Sequence, residues 1–458
     1  MKPVLNRKEF LALSTLGGLS LATRGAAAPK PRTPPDGILR HACIGVVGIG
    51  TQDIAQLSKH PKLRIVALCD VDSNHLAAAA QKVPNAKLYA DWREMFEREG
   101  DRIDSCNISV PDHMHAIITL AAIRAGIHVY CQKPLAHDVA ECRAMTVAAR
   151  RAGIVSQLGT QHASGPGDRL AVHLLREGVL GKVRRVILCS NRATGMQFRL
   201  EGPRPAETEA PPASLNWDLW LGTAPVRPYA PAIYHPKKWR SWQDFGTGWS
   251  GDIGCHIFDA VWKGLDLSPP KSVIAEVQPS WRESAARRTD TWPQSNHLTW
   301  IFPGNAKTEK RELTVEWFDG DIYPPEEAQA ISTGLGFAKY PEEAALVIGT
   351  EGSMLLPHRG GPRIFPLEKF ADLKKPDLSG PDHHARFVDA CLGGAPTESN
   401  FDQTGPMSEA IILGTVAIRH PGQRLDWDAR NLRIPNFPAA EKLLRRSYRK
   451  GWDVDLRA

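Results

Sequence analysis

No C-x-x-C pair occurs among the eight cysteines of this 458-residue chain, so the usual spacing of a structural zinc site is missing. Cys43, Cys69, Cys106 and Cys131 fall one each in four apolar, strand-like runs, where a thiol serves as a small buried hydrophobe rather than half of a disulfide. Beyond the N-terminus there is no run of 18 or more apolar residues, which leaves no membrane-spanning helix in the body of the chain. Long blocks of like charge are missing as well. The net charge of +7 comes from scattered Lys and Arg, and this argues against a nucleic-acid partner. Internal repeats are absent.

What is present begins with an address. Lys2, Arg7 and Lys8 precede a moderately apolar stretch, Phe10 to Ala22, and Gly25 to Ala28 supply an A-x-A-like cleavage site, predicting an export signal over residues 1–28. Asn6-Arg7-Lys8-Glu9-Phe10-Leu11 resembles a twin-arginine signal with Lys at the second Arg. The expected destination is the periplasm or another exported compartment, and the cytoplasm if the signal does not function.

Residues 36–160 alternate short β-branched runs with helical patterns. Strands are expected at His41–Val47, Arg64–Cys69, Asp104–Ser109, Ile127–Cys131 and Ile154–Leu158. Helices are expected after Gly50, from a Ser73 cap, after Asp91, from Asp112 to Gly126 and from Asp138 to Gly153. Alternation at this spacing predicts a doubly wound, parallel Rossmann sheet. Across 161–458 the texture changes. Alternating runs at Val183–Arg192, Ser272–Val277, His297–Phe302 and Glu312–Phe318 predict a second α/β domain with a large, mostly antiparallel sheet, while Glu201–Ala213 and Asp321–Tyr340 read as long loops. The expected class is therefore α/β throughout.

A dinucleotide fits the first domain. Gly48 supplies a tight turn, Gly50 lets the backbone approach a pyrophosphate at a helix N-terminus, and Asp70, twenty residues on, is placed to accept hydrogen bonds from a ribose. That carboxylate would repel a 2′-phosphate, so NAD is expected, with NADP as the alternative. Asp53 stands at the third glycine position of this reading.

Two strand ends add to this: Asn107-Ile108-Ser109-Val110-Pro111-Asp112-His113-Met114-His115 and Tyr130-Cys131-Gln132-Lys133-Pro134. With the glycine turn they resemble the Gfo/Idh/MocA family of glucose–fructose oxidoreductases, inositol dehydrogenases and relatives. Gln132-Lys133-Pro134 matches that family's E-K-P motif with Gln for Glu. The likeness extends to Trp217-Asp218-Leu219-Trp220-Leu221-Gly222, Gly251-Asp252-Ile253-Gly254-Cys255-His256 and Tyr448-Arg449-Lys450-Gly451-Trp452, and is strongest to the family's exported branch. The expected cofactor-binding residues are Gly48, Gly50, Asp70, Asn107, Pro111, His115, Gln132 and Lys133, with His113 on the surface.

Asp252, His256 and Asp259 are spaced i, i+4, i+7, so a helix starting near Gly251 puts them on one face. A carboxylate beside an imidazole makes a base for alcohol oxidation, and Lys133 at a strand end can stabilise negative charge on the reacting oxygen. The resemblance implies that Lys133, Asp252 and His256 occupy the family's catalytic positions. We expect His256 as proton acceptor, Lys133 as electrostatic partner and Asp252 as orienter or second substrate contact. A metal held by Asp252, His256 and Asp259 is the weaker reading, and no metal is expected.

Six of the thirteen Trp, at 217, 220, 239, 242, 249 and 262, crowd the stretch around this helix. Such rings can pack on a sugar's apolar face, although most are expected to fill core. Trp220, Tyr229, Arg240 and Asp259 are the expected substrate contacts. The expected activity is hydride transfer between a tightly bound nicotinamide cofactor and a sugar or polyol. Redox-assisted cleavage of a glycoside, or sugar or nucleotide binding without catalysis, are the alternatives. The expected partners are a small sugar, polyol or glycoside and further copies of the chain.

Overall fold

The computed structural model describes residues 31–192 and 202–457, so the expected export signal over 1–28 lies outside the described residues. Strands β1 (Leu39–Ile44), β2 (Leu63–Cys69), β3 (Lys87–Tyr89), β4 (Ser105–Ile108), β5 (His128–Cys131) and β6 (Ser156–Leu158) form one sheet in the order β3-β2-β1-β4-β5-β6. Every pairing in it is parallel. Helices α1 (Ile49–Leu57), α2 (Ser73–Ala80), α3 (Trp92–Glu99), α4 (His115–Arg124) and α5 (Val139–Ala152) make the crossovers. Because strand order reverses between β1 and β4, a crevice opens beyond the carboxyl ends of those two strands. The caps follow the sequence chemistry: Asp91 accepts from the Arg93 N–H, Asp138 from the Glu141 N–H, and Gly153 closes α5 in the left-handed region.

The second sheet has eight strands in the order β13-β12-β11-β7-β10-β9-β8-β14. They are β7 (Val183–Ser190), β8 (Ser272–Val277), β9 (Asn296–Pro303), β10 (Glu312–Asp319), β11 (Glu343–Gly349), β12 (Ser353–Pro357), β13 (Arg363–Phe365) and β14 (Leu425–Asp426), with only β7 and β10 parallel. On β9 the burial alternates, and Leu298, Trp300 and Phe302 point at the helices α6 (Gly248–Gly264) and α9 (Phe401–Ile418) in one continuous apolar core. The other face of β7 and β11 is covered by α7 (Glu326–Gly334) through Ala328 and Ile331. Asp321–Tyr340 is therefore not one long loop: its middle is a helix, whose apolar positions are too few to show without the sheet they cover. The two sheets are tied by α9 lying on α5, where Arg143 grips Glu409 through paired hydrogen bonds of 2.7 and 2.6 Å.

The glycine turn sits three residues earlier than the sequence suggests. β1 ends at Ile44, and Gly45 follows at φ 81°, where a side chain would overlap the Ser109 carbonyl oxygen. Gly48 is the cap of α1, and Gly50 lies in its first turn against the Gly45 carbonyl, leaving no room for a Cβ. Close helix–strand packing thus falls to Gly50, not to position 53. Likewise Asp72, not Ser73, caps α2, because its side chain reaches the Asn74 N–H.

Asp53 has a different job. It is fully buried, and its carboxylate accepts from Ser109 Oγ at 2.7 Å and from Gln132 Nε2 at 2.9 and 3.0 Å, with His384 Nε2 at 3.0 Å. Those partners come from the ends of β4 and β5 and from helix α8 (His383–Cys391). Removing the carboxylate strands three buried polar groups at once. We expect Asp53→Ala to lower unfolding free energy by about 3 kcal/mol, read as a shift in the urea midpoint. An unchanged midpoint would refute the structural role.

Candidate active site

A cavity of about 580 Å³ opens where the crevice of the first sheet meets α6 and the connection before it. Its walls have three parts. One is the turn Gly45–Ile49 with Asp70 at the end of β2. Asp70 is locked by two backbone N–H groups, Val46 at 3.0 Å on Oδ2 and Asp72 at 3.0 Å on Oδ1. Burial raises its pKa against those hydrogen bonds. The second part is an apolar slot of Ala90, Val110, Met114, Ile118 and Leu219, ended by Trp452 from the chain's C-terminal tail. Trp452 is 6% exposed and has two guanidinium groups against its ring, Arg93 at 4.2 Å and Arg449 at 5.3 Å from the centroid.

The third part is charged. Lys133 Nζ makes an ion pair of 2.8 Å with Asp252 Oδ1 and donates to the Asp252 carbonyl oxygen at 2.9 Å; Arg240 Nε lies 3.4 Å from the same carboxylate oxygen. Burial pushes Asp252 up, but Lys133 and Arg240 outweigh it and hold the carboxyl below its ordinary range, so it stays ionised. One helical turn on, burial and the neighbouring His358 and Lys133 hold His256 well below 6.5, and its ring is neutral at pH 7. Asp112 shares the wall. Its Oδ2 accepts from the Thr247 N–H at 3.1 Å and Oγ at 3.0 Å, and burial followed by the Asp252 charge pushes it up to about 7.

Of the residues expected from sequence, Gly48, Asp70, Pro111, Gln132, Lys133, Trp220, Arg240, Asp252 and His256 line this cavity together. Others do not. Gly50 lies behind the turn, and Asn107 is spent inside the sheet, bonded to Ser109 Oγ at 2.7 Å and His41 Nε2 at 3.1 Å. His115 does not reach the cavity, since its two ring nitrogens meet the Pro134 and Val110 carbonyls at 2.7 and 2.9 Å. His113 is fully buried against Trp220 and Phe245 rather than on the surface. Tyr229 packs edge-on to Trp217 in a side cluster, and Asp259, one turn too far along α6, pairs with Lys263 at 2.5 Å.

Sequence reasoning missed Asp112, His162 and His358. Asp112 was visible beside Pro111 but was assigned only to a helix start. His358, about a hundred residues beyond His256, has no local signal. Its ring centroid is 4.9 Å from that of His256 and 4.7 Å from that of His162, and Glu343 holds its Nδ1 at 2.9 Å while Nε2 is buried and unpartnered among the described residues.

Comparison with known proteins agrees with this architecture. The model of an oxidoreductase family with an NAD-binding Rossmann fold matches residues 39–160, and that of the family's C-terminal α/β domain matches 169–348. A D-apiose dehydrogenase of Paraburkholderia graminis is 35% identical over 117 residues, 26% of this chain and 31% of that protein. A levoglucosan dehydrogenase of Pseudarthrobacter phenanthrenivorans is 28% identical over 183 residues, 40% of this chain and 38% of that protein. The chain thus spans about a third of the length of each. Among solved structures, the WlbA dehydrogenase of Chromobacterium violaceum, crystallised with NADH and UDP-GlcNAcA, superposes with a TM-score of 0.60 at 16% identity, covering 87% of this chain and 98% of that one, which shows a shared fold. The chain belongs to the Gfo/Idh/MocA family of oxidoreductases.

Proposed function

We propose that this protein transfers hydride between NAD and a hydroxyl-bearing carbon of a sugar or polyol. The observation that carries this reading is the meeting of Lys133, Asp252 and His256 on the wall of the same cavity that holds the Gly45–Gly48 turn and Asp70. The turn and the α1 N-terminus would take the diphosphate, Asp70 the adenosine ribose, and the apolar slot under Trp452 the adenine. When bound, NAD supplies the hydride acceptor. Two relatives that act as dehydrogenases on D-apiose and levoglucosan support a sugar as substrate.

The chain's own residues handle the proton and the charge. His256, kept neutral, accepts the hydroxyl proton; the Lys133 ammonium stabilises negative charge developing on the same oxygen. Asp252 holds that ammonium in place and, with Arg240, fixes the donor array. Trp220, Trp239 and Trp249 line the cavity and offer rings to the apolar side of a pyranose or cyclitol. If the N-terminal segment exports the chain, no free nicotinamide pool is at hand, and a cofactor that stays bound would have to pass the hydride taken from the alcohol on to a second carbonyl compound, which becomes the alcohol. Assembly into a homo-oligomer belongs to the same proposal. One observation favours a second reading, transient oxidation followed by glycoside cleavage: His358, oriented by Glu343, places another imidazole beside His256.

Three measurements test these roles. In a screen of aldoses, polyols and glycosides against the purified protein, Lys133→Ala and His256→Ala should each lower kcat/KM at least about 100-fold with unchanged circular dichroism. Wild-type turnover in either variant would defeat the mechanism. Trp452→Ala should release nicotinamide cofactor about tenfold more readily, read as the NAD(H) content of protein purified without added nucleotide.

The third concerns pH. Folded Asp112 keeps its proton up to about 7, whereas an unfolded carboxyl releases it near 3.9. Its contribution to stability is therefore complete below about pH 4 and is lost as pH rises through 7. Asn at this position carries no proton to lose, so Asp112→Asn should gain stability relative to wild type between pH 4 and 8 in parallel urea titrations. A constant difference across that window would contradict the assignment.

A further inference from the structure

Beyond the reaction centre, we propose that Asp72, His75 and His235 form a binding site for a divalent transition-metal ion of the zinc class. Asp72 and His75 stand at the cap and in the first turn of α2, and His235 comes from the connection that precedes α6 and reaches the cavity rim. One ligand-type atom from each lies within 4.8 Å of the other two, and among the described residues no other three His, Cys, Asp or Glu side chains do this.

The carboxylate is divided in its duties. Asp72 Oδ1 takes the Asn74 N–H at 3.0 Å and so caps the helix, while Oδ2 faces His235 Nε2 at 3.4 Å and His75 Nδ1 at 3.9 Å. His75 Nδ1 also stands 3.9 Å from Asp70 Oδ1, which is too far for a hydrogen bond, and it is buried with no partner among the described residues. A buried ring nitrogen that stands near two carboxylate oxygens and hydrogen-bonds neither has, in the neutral ring, a lone pair to offer a metal ion whose charge the carboxylates would balance.

The spacing suits such a centre. Zinc–nitrogen and zinc–oxygen bonds near 2.1 Å put neighbouring ligands of a tetrahedron about 3.4 Å apart. The Asp72–His235 edge already has that length, and the Asp72–His75 edge needs to close by about 0.5 Å. Two imidazoles and one carboxylate, with no thiolate, select Zn²⁺, Co²⁺ or Ni²⁺ over Ca²⁺ or Mg²⁺. An ion there would pin α2 to the segment that also carries Trp239 and Arg240.

The site is read without turnover, so its failure leaves the oxidoreductase proposal where it stood. Full-length protein stripped with chelator is titrated with Zn²⁺ by calorimetry and with Co²⁺ by visible absorbance. We expect one equivalent per chain, with cobalt d–d bands of a four- or five-coordinate centre. His75→Ala, His235→Ala and Asp72→Asn, the last of which keeps a helix-capping side chain, should each weaken uptake at least tenfold. Absence of saturable uptake by the wild type overturns the proposal. So does uptake unchanged in all three variants, which would move the ion to groups such as His162, His256 and His358.

Discussion

The fully buried carboxylate of Asp53 holds the cavity's floor in one piece. Through Ser109, Gln132 and His384 it ties α1, which carries the glycine turn, to the carboxyl ends of β4 and β5 and to a helix from the far end of the chain. Lys133 is the next residue after Gln132, so the ammonium that faces Asp252 is anchored through the same knot that positions Gly45–Gly48. A buried negative charge survives only where donors surround it. Here a hydroxyl, an amide and an imidazole do so, and each donor is itself fixed by a strand end or a helix.

Across the cavity the charges are arranged in opposition. Lys133 and Arg240 keep Asp252 ionised, and burial, followed by the negative charge of Asp252, pushes Asp112 up to about 7. Burial, followed by the neighbouring His358 and Lys133, holds His256 neutral. The wall therefore presents, near neutral pH, the Lys133 ammonium and the Arg240 guanidinium, the Asp252 carboxylate, the neutral His256 imidazole and the Asp112 carboxyl close to its titration point. Oxidising an alcohol asks for a proton acceptor beside a stabiliser of oxyanion charge, the two parts that the proposed mechanism gives to His256 and Lys133.

Much of this was legible in the chain, and the failures have physical causes. The parallel sheet could be read because buried strands and capped helices leave strong local signals, and Lys133, Asp252 and His256 could be read because strand-end and helical spacing set their directions. Helical spacing alone also put Asp259 at the site; the helix runs on past the cavity, so its third turn meets Lys263 instead. His115 looked free because its carbonyl partners, Pro134 and Val110, come from backbone that only the fold supplies. The glycine turn was read three residues late because Gly45, Val46 and Val47 continue an apolar run, and only the close approach of Ser109 shows that the strand has already ended. His358 and Trp452 arrive from distant segments, which no spacing rule anticipates.

The departure from the family pattern at Gln132 is explained by Asp53. Gln132 stands where the resemblance implies Glu, and Asp53 appeared to stand where a glycine belongs. In the folded chain they are direct partners: both oxygens of Asp53 lie within 3.0 Å of the Gln132 amide nitrogen, with no exposure at Asp53. A glutamate at 132 would set a second carboxylate against the first at a buried position, and the two like charges would repel. The amide removes that conflict and donates instead. With Asp53 in α1, an amide rather than a carboxylate before Lys133 is what gives that buried carboxylate a donor.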